Sequence, residues 1–414
     1  MIGVSIEGAA QVLRPPADGM PHLRGDELEA QRLDPCDLAL RDGAIAALDA
    51  DGGAELRVDA SGCAVIPGFV DCHTHLPFAG WRAAEYEQKL RGVPYEEISR
   101  SGGGIAASAR ALREHADEEV LAQADALAAE MLASGTTTFE CKSGYGLSRD
   151  GEMRALVLAR ELEVRVPQST VSTALLAHAV PEGHSADGWM GVVQEMMPEV
   201  IAAGSVTALD IFVESIAFSN EHLELMGELA RAAGLALRCH VEQFSSHGSV
   251  PVALAAGARS VDHLSMLPAS DIPALAAARC AAVLLPVAEF LGDEHRAPGR
   301  ALVEAGALVV LATDANPGTA PVVSMPVAIG LGARLYGLSA REAVGAATIN
   351  GAWVLGLEHD RGSIEVGKRA DLLLLDGPID AIAYRLGRSP VGAAFVGGRP
   401  VYVRPDFEHR MERR

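Results

Sequence analysis

Eight short apolar runs, separated by stretches with helical spacing, constrain the fold of this chain more than any other feature of its sequence. Strand-length runs that alternate with helices are typical of parallel sheets built from βα units. The number eight favours closure into a (β/α)8 TIM-like barrel over an open, doubly wound sheet. The predicted strands are Val65–Val70, Thr136–Cys141, Val171–Ala177, Ala208–Val213, Ala236–Cys239, Ser260–Leu264, Ala281–Leu285 and Leu308–Thr313.

The stretches between these runs are rich in Ala, Leu and Glu and are predicted to be helices. The helix candidates are Asp117–Ala133, Gly151–Glu163, Gly188–Ala203, Asn220–Ala233, Val250–Ala256, Ile272–Ala278 and Gly299–Ala305.

Reactive side chains follow most of the predicted strands, which strengthens the barrel prediction. In a (β/α)8 barrel the active site collects at the carboxyl ends of the strands. The residues found at or just after the ends of the runs are His73, His75, Lys142, His178, Glu214, His240, Glu242, His263 and Asp314. Chance placement does not explain this distribution, so we expect these side chains to share one site.

The two ends of the chain have a different pattern. Residues 1–66 are rich in Gly, Pro and Asp, and residues 358–414 contain short strand-like segments joined by tight turns. We predict that both ends fold together into a small β-sandwich domain beside a barrel of residues 67–357. The length of 414 residues fits a barrel of roughly 250 residues plus such a module.

Composition excludes several classes of partner. Lys and Arg total 34 against 55 Asp and Glu, a net charge of −21, which argues against binding to nucleic acid or to an anionic membrane surface.

The six cysteines are scattered singly, which indicates a reduced, cytoplasmic setting. We find no signal peptide and no apolar stretch long enough to span a membrane.

The pair His73 and His75 is the first candidate for metal binding. Residues i and i+2 of a strand point to the same face, so both imidazoles can reach one ion. Taken alone such a pair is a weak signal, but His240 and Asp314 end two further predicted strands. Three imidazoles and one carboxylate suit zinc, or iron in a similar site.

Several segments resemble a known family. IPGFVDCHTH, the later His, His and Asp at strand ends, and GSIEVGKRADLLLLD are similar to the amidohydrolase superfamily. More closely, FAGWRAAEYEQKLRGVPYEEISRSGGGI, ECKSGYGL, LLAHAVP, HVEQFSSHG, SVDHL, VLLP and LATDANPGTAP resemble the imidazolonepropionase family of histidine degradation. The resemblance covers nearly the whole predicted barrel, and ECKSGYGL and ATDANPGT are its most specific parts.

The resemblance implies one divalent metal ion held by His73, His75, His240 and Asp314. It also implies a hydrolase that opens the imidazolone ring of 4-imidazolone-5-propanoate to N-formimino-L-glutamate. Asp314 would take the proton of the attacking water, and His263 would steady that water or the developing oxyanion. The fourth predicted strand ends in Phe-Val-Glu, without the lysine that bridges two metals in other amidohydrolases.

Glu242 has two interpretations. It lies two residues after His240, so it either orients the water and the ring nitrogens or supports His240 as an outer carboxylate. In some family members the acidic residue stands at the position that matches Gln243, which leaves both interpretations open.

The implied substrate carries a propionate, so it is a small anion and needs a cation within an acidic protein. Arg82 is the expected partner, because a guanidinium binds a carboxylate through two hydrogen bonds. The other substrate contacts that the resemblance implies are Tyr95, Tyr145, His178 and Asn316.

Two alternatives remain open at this point. One is a related amidohydrolase, such as a cyclic amidine hydrolase or a deaminase, with the same metal and a different ring. The other is a non-catalytic barrel that only binds metal. The resemblance also implies a homodimer.

Overall fold

The computed structural model describes residues 3–49, 54–292 and 295–413. The first part of the chain forms short strands that belong to two outer sheets. They are β1 (Val4–Glu7), β2 (Gln11–Arg14), β3 (Arg32–Asp34), β4 (Leu38–Arg41), β5 (Ala44–Leu48), β6 (Leu56–Asp59) and β7 (Ala64–Pro67).

Eight parallel strands follow and form one sheet in chain order. They are β8 (Phe69–Asp71), β9 (Thr136–Lys142), β10 (Ser169–Ala177), β11 (Val206–Phe212), β12 (Ala236–Val241), β13 (Ser260–His263), β14 (Ala281–Leu284) and β15 (Leu308–Leu311). Each predicted barrel strand is therefore present, and the predicted (β/α)8 barrel is confirmed.

The barrel closes just beyond β8 and β15, through the residues predicted to bind metal. Thr74 forms a parallel bridge with Ala315. The amide of Asp314 donates to the carbonyl of His73 at 3.0 Å, and the amide of His75 donates to the carbonyl of Ala315 at 2.9 Å. The hydrogen bonds that close the barrel therefore also fix the backbone positions of three candidate ligands, His73, His75 and Asp314.

The last part of the chain completes the outer sheets with β16 (Leu372–Leu375), β17 (Val391–Val396), β18 (Arg399–Val403) and β19 (Met411–Arg413). One sheet has the order β19-β6-β1-β4-β5, and the other has the order β18-β17-β16-β7-β2-β3. Both sheets thus mix strands from the two chain ends, as predicted, and they enclose a core of their own. The predicted division of the chain at residues 66 and 358 stays a prediction.

The run predicted as one strand, Val65–Val70, is divided between two sheets. β7 pairs with β16 in an outer sheet, whereas β8 pairs with β9 in the barrel. The break falls at Gly68, where a Cβ atom would lie 2.1 Å from Oγ1 of Thr137. Close approach of backbone to the neighbouring strand therefore requires glycine here, which an apolar pattern does not reveal.

The helices are α1 (Ala83–Leu90), α2 (Tyr95–Arg100), α3 (Ile105–Glu114), α4 (Asp117–Ala133), α5 (Arg149–Arg165), α6 (Ala186–Ala202), α7 (Asn220–Ala233), α8 (Ser249–Ala256), α9 (Ile272–Ala277), α10 (Pro286–Gly292), α11 (Gly299–Glu304), α12 (Met325–Tyr336), α13 (Ala340–Ala346), α14 (Ile349–Val354) and α15 (Asp380–Tyr384). The described residues also contain three 3-10 turns, at Gly25–Glu27, Ala269–Asp271 and Pro405–Arg410. Among the described residues, no helix is long and apolar enough to cross a membrane.

Candidate active site

The carboxyl ends of the barrel strands surround one pocket. Nine of the residues predicted from the sequence line it. They are His75, Arg82, Tyr95, Tyr145, His178, His240, His263, Asp314 and Asn316. His73 lies buried behind them, with its ring 4.5 Å from that of His240 between centroids.

The four candidate metal ligands meet at one end of this pocket, which we call the metal pole (His73, His75, His240 and Asp314). Nε2 of His75 lies 3.3 Å from Oδ1 of Asp314, and Nε2 of His73 lies 3.5 Å from the same oxygen. The ligand atoms of His73, His75 and Asp314 lie within 4.8 Å of one another, and so do those of His73, His240 and His263.

The donor atoms at the metal pole fit a metal ion. Nε2 of His73 and Nε2 of His240 are buried and have no hydrogen-bond partner among the described residues. A buried polar atom without a partner is costly, so two of them aimed at one point indicate a missing ligand. Imidazole nitrogens with one carboxylate match the donor sets of zinc and of non-haem iron.

Burial keeps His73, His75, His178 and His263 neutral. It lowers the pKa of His73, His75 and His178 well below the usual value of a histidine, and the charge of Lys142 adds to the effect at His73 and His75. It also lowers the pKa of His263 to about 3. A neutral imidazole has a free lone pair at neutral pH, which both metal binding and hydrogen-bond acceptance require.

Two residues of the site have left-handed backbone conformations that favour glycine. The φ angle is 81° at His263 and 57° at Asp314. Such conformations cost on the order of 1–3 kcal/mol each and cluster at functional sites. Here they turn the chain at the ends of two barrel strands, so that both side chains point into the pocket.

A second end of the pocket, which we call the anion pole, consists of Arg82, Tyr95 and Tyr145. Arg82 is buried, yet its Nε and Nη1 have no hydrogen-bond partner among the described residues. Its nearest carboxylate oxygen, on Glu85, lies 3.6 Å from Nε, beyond hydrogen-bond range. A buried guanidinium with free N–H groups is a ready site for an anion.

The loop Ser143–Gly146 presents Tyr145, and a residue that sequence reasoning missed holds this loop. The buried carboxylate of Glu152 accepts hydrogen bonds from the amides of Gly144, Gly146 and Leu147, at 2.8, 2.8 and 2.9 Å. His178 packs against the same loop, because its Nδ1 donates to the carbonyl of Gly144 at 3.0 Å. Its ring stacks on His75 with centroids 5.1 Å apart.

Glu242 lies outside the set of pocket-lining residues. Its carboxylate accepts from the amide of Ser249 at 2.7 Å and from that of His247 at 3.1 Å, so it fixes the turn that leads into α8. Gln243 lines the pocket in its place. A catalytic role of Glu242 stays a prediction.

The polar atoms of Asn316 are used by its own loop. Oδ1 accepts from the amides of Gly318 and Thr319 at 2.9 and 2.8 Å, and Nδ2 donates to the carbonyl of Asp314 at 2.7 Å. A direct contact of Asn316 with substrate stays a prediction. Thr319, which lies in the motif ATDANPGT, also lines the pocket.

Sequence reasoning missed a layer of buried charges directly beneath the metal pole. We call it the charge layer and define it by five residues inside barrel strands: Glu140, Lys142, Asp210, Arg238 and Asp262. The available signal was the occurrence of ionisable residues inside otherwise apolar strands. Lys142 is the one member that the strand-end pattern had singled out.

Comparison with known proteins assigns the chain to a family. The profile of the amidohydrolase family matches residues 64–401. An imidazolonepropionase from Rubrobacter xylanophilus is 44% identical over 395 residues, which cover 92% of this chain and 94% of that protein. One from Deinococcus radiodurans is 42% identical and covers 82% of this chain and 84% of that protein.

Solved structures show the same fold at much lower identity. A zinc-containing adenosine deaminase from Xanthomonas campestris has a TM-score of 0.71 at 21% identity, with 97% of this chain and 93% of that chain covered. The guanine deaminase of E. coli has a TM-score of 0.66 at 17% identity, with 97% and 99% covered.

Proposed function

This chain belongs to the amidohydrolase family and, within it, to the imidazolonepropionases, and from this premise we propose that it opens the imidazolone ring of 4-imidazolone-5-propanoate. It is a hydrolytic enzyme whose relatives act in histidine degradation. The product of the proposed reaction is N-formimino-L-glutamate.

One observation carries the proposal. A single pocket holds buried imidazole nitrogens without a hydrogen-bond partner at the metal pole and, at the anion pole, a guanidinium with two nitrogens that lack one. The substrate has the matching two-ended form, a ring carbonyl to be hydrolysed and a propionate to be held. Arg82 binds the propionate, and Tyr95 and Tyr145 border that end of the pocket.

We propose that one divalent ion, zinc or iron, is held by His73, His75, His240 and Asp314, where it would lower the pKa of a water molecule toward about 7 and polarise the ring carbonyl. Two overlapping groups of ligand atoms support this set, one of His73, His75 and Asp314 and one of His73, His240 and His263. In this proposal Asp314 accepts the proton of the attacking water. Its carboxyl lies in a buried setting that raises its pKa, which makes it a better base than an exposed aspartate.

His263 faces the same end of the pocket as a neutral imidazole, since burial lowers its pKa to about 3. In this proposal His263 hydrogen-bonds the water or the oxyanion that develops on the ring carbonyl. The oxygen of water bonds to the carbonyl carbon, the ring C–N bond breaks, and the leaving nitrogen takes the proton from Asp314. Water is thus added across one C–N bond, and no other reactant is needed.

A direct assay tests the proposal. Imidazolone propionate is generated in place from urocanate by urocanase, and loss of the ring's ultraviolet absorbance is followed with and without a chelator. We expect rapid loss that the chelator abolishes and that added zinc or iron restores. Elemental analysis of the purified protein then identifies the metal. If protein shown to contain metal leaves the ring intact, the substrate assignment is wrong.

The homodimer and the cytoplasmic location are part of the proposal as well. Light scattering of the metal-loaded protein tests the first, because a monomer of 43.2 kDa would contradict it.

A further inference from the structure

The charge layer lies one step below the metal pole along the barrel strands. Arg238 precedes His240 by two residues on β12, so both side chains enter the barrel interior from the same face of the strand. All five members of the layer are buried, and each has its hydrogen-bond or ion-pair partners within the barrel. Five ionisable groups in a core are expensive, so their arrangement needs an explanation beyond packing.

Asp210 controls the ring of His240. Its Oδ2 accepts from Nζ of Lys142 at 2.6 Å. Its Oδ1 accepts from the amide of Ile211 at 2.8 Å and from Nδ1 of His240 at 3.0 Å. An ammonium and a backbone amide can only donate, so the carboxylate is an acceptor throughout and His240 must donate from Nδ1. The lone pair of His240 is then left on Nε2, the atom without a partner at the metal pole.

Asp262 has the same relation to His73. Its Oδ2 accepts from Nδ1 of His73 at 2.6 Å and from Nη2 of Arg238 at 2.7 Å. Its Oδ1 accepts from Oγ of Ser260 at 2.6 Å. Again the surrounding donors leave Nδ1 of the histidine with the proton and Nε2 with the lone pair.

Arg238 connects this arrangement to the backbone just after β8, the first strand of the barrel. Its Nη1 donates to the carbonyl of Cys72 at 2.6 Å and also to Glu140, while its Nε donates to Oγ of Ser260 at 2.9 Å. Cys72 directly precedes His73 in the chain. The guanidinium therefore fixes both the main chain before His73 and the carboxylate behind its ring.

His75 and His263 lack this support among the described residues. Nδ1 of each is buried without a hydrogen-bond partner. The four histidines around the metal pole thus fall into two pairs, one oriented by carboxylates and one not.

We propose that Asp210 and Asp262 are positioning residues that hold His73 and His240 as Nδ1–H tautomers with Nε2 ready for the metal, and that Lys142 and Arg238 hold those carboxylates in place. The proposal rests on the proposed metal site, and it makes His73 and His240 the preorganised ligands. Partners of this kind, one shell outside the ligands, change metal affinity by about 10- to 100-fold when they are removed.

Asp210→Asn is the sharpest variant. The asparagine amide has one donor group, whereas the carboxylate of Asp210 has only acceptors. Of the three groups that contact this side chain, Lys142 and the amide of Ile211 can only donate, so only His240 is able to accept. We expect His240 to change to the Nε2–H tautomer and metal affinity to fall by about 10- to 100-fold. Nitrogen-15 NMR of the histidines in the metal-stripped full chain reads the tautomer, and competition with a chelator measures the affinity.

Glu140→Gln is the matched control, because it removes the same charge from the same layer. Glu140 contacts Lys142, Arg238 and Thr173, and no contact with a histidine ring is described for it. We expect this variant to keep the tautomers of the wild-type protein and to bind metal within about threefold of its affinity. Equal losses in Glu140→Gln and Asp210→Asn would overturn the proposal, because the layer would then act through its net charge.

Two further results bear on the proposal if Asp210→Asn does not fold. Asp262→Asn should weaken metal binding in the same way, with the change centred on His73. The wild-type protein itself should show His73 and His240 as Nδ1–H tautomers before metal is added; Nε2–H tautomers there would refute the proposal. A wild-type protein with the expected tautomers and no metal affinity would instead refute the proposed metal site.

Discussion

The two ends of the pocket are built in different ways. The metal pole stands at the ends of barrel strands and is supported from below by the buried ion pairs of the charge layer. The anion pole is built from the segments that follow the strands. Arg82 directly precedes α1, Tyr95 begins α2, and Tyr145 lies in the loop after β9.

This difference assigns two functions to two kinds of structure. Strands of a closed barrel cannot shift without disturbing their neighbours, so groups at their ends keep a fixed geometry, as hydrolysis at a metal requires. Loops vary without cost to the barrel, so they are where a substrate is selected. We therefore expect changes at the metal pole to abolish turnover and changes at the anion pole to affect mainly which molecule is bound.

The largest effect is expected from His240→Ala. Loss of one of three imidazoles should leave the protein without stoichiometric metal, and kcat should fall by roughly three orders of magnitude or more, since the water pKa is no longer lowered. Elemental analysis and the ultraviolet assay measure both effects. A variant with full activity and no metal would show that the metal pole has another function.

Arg82→Ala is expected to have the opposite profile. The metal should remain bound, while kcat/KM falls by a factor that corresponds to a free-energy loss of about 2–5 kcal/mol. This is the usual cost of removing one partner of a desolvated charge pair. Metal content and steady-state kinetics measured on the same preparation separate the two poles. Arg279→Ala, which removes an exposed arginine before β14, is the matched control and should change neither.

Unchanged kinetics in Arg82→Ala would mean that the propionate is held elsewhere. Loss of metal in Arg82→Ala would show that the two poles are not independent, and the comparison between strands and loops would fail.

The fold was predictable because repetition is a strong signal. Eight apolar runs with reactive residues at their ends favoured a closed barrel over an open sheet, and Asp117–Ala133 and Asn220–Ala233 are helices with the predicted limits. Gly68 was not predictable as a boundary, because the need for glycine there comes from Thr137 on a neighbouring strand. Contacts between residues far apart in the chain leave no periodic trace in the sequence.

The same limit applies to the candidate site. Strand ends identified His73, His75, His240 and Asp314, which the structure brings together. The charge layer was missed because nothing in the spacing of Asp210 and Asp262 relates them to His240 and His73. That pairing depends on which strands are neighbours and on their register, so it requires the three-dimensional structure.

Glu289 tests how the segment that follows β14 is held in place. It lies in α10, and its carboxylate accepts from the amide of Ala297 at 3.0 Å and from Oγ of Ser265 at 3.1 Å. Burial raises its pKa to about 7 from the usual value of 4.5. The folded protein therefore holds a proton that the unfolded chain has lost between about pH 4.5 and 7. Its free energy of unfolding falls as the pH rises through that window.

Glu289→Gln removes this titration. Relative to the wild-type protein, the variant should gain stability as the pH rises from 4.5 through about 7, by at most about 3 kcal/mol because 2.5 pKa units correspond to that amount. Urea unfolding of both proteins at several pH values measures the difference, from which other titrating groups cancel. Glu228→Gln, at an exposed carboxylate, is the control. A constant difference across the window would contradict the prediction.

The smallest effect is expected from Gly318→Ala, which tests how the anion pole is joined to the barrel. The amide of Arg82 donates to the carbonyl of Pro317 at 2.8 Å, and a Cβ atom on Gly318 would lie 1.9 Å from Nη2 of Arg82. The guanidinium must therefore move. We expect KM to rise about tenfold, which corresponds to about 1–2 kcal/mol of substrate binding free energy, with metal content unchanged. Gly191→Ala, where a Cβ meets open space, should leave KM as it is. A fall in kcat without a change in KM would mean that the methyl group disturbs Asp314 on the same loop. The loop after β15 would then belong to the metal pole as much as to the anion pole.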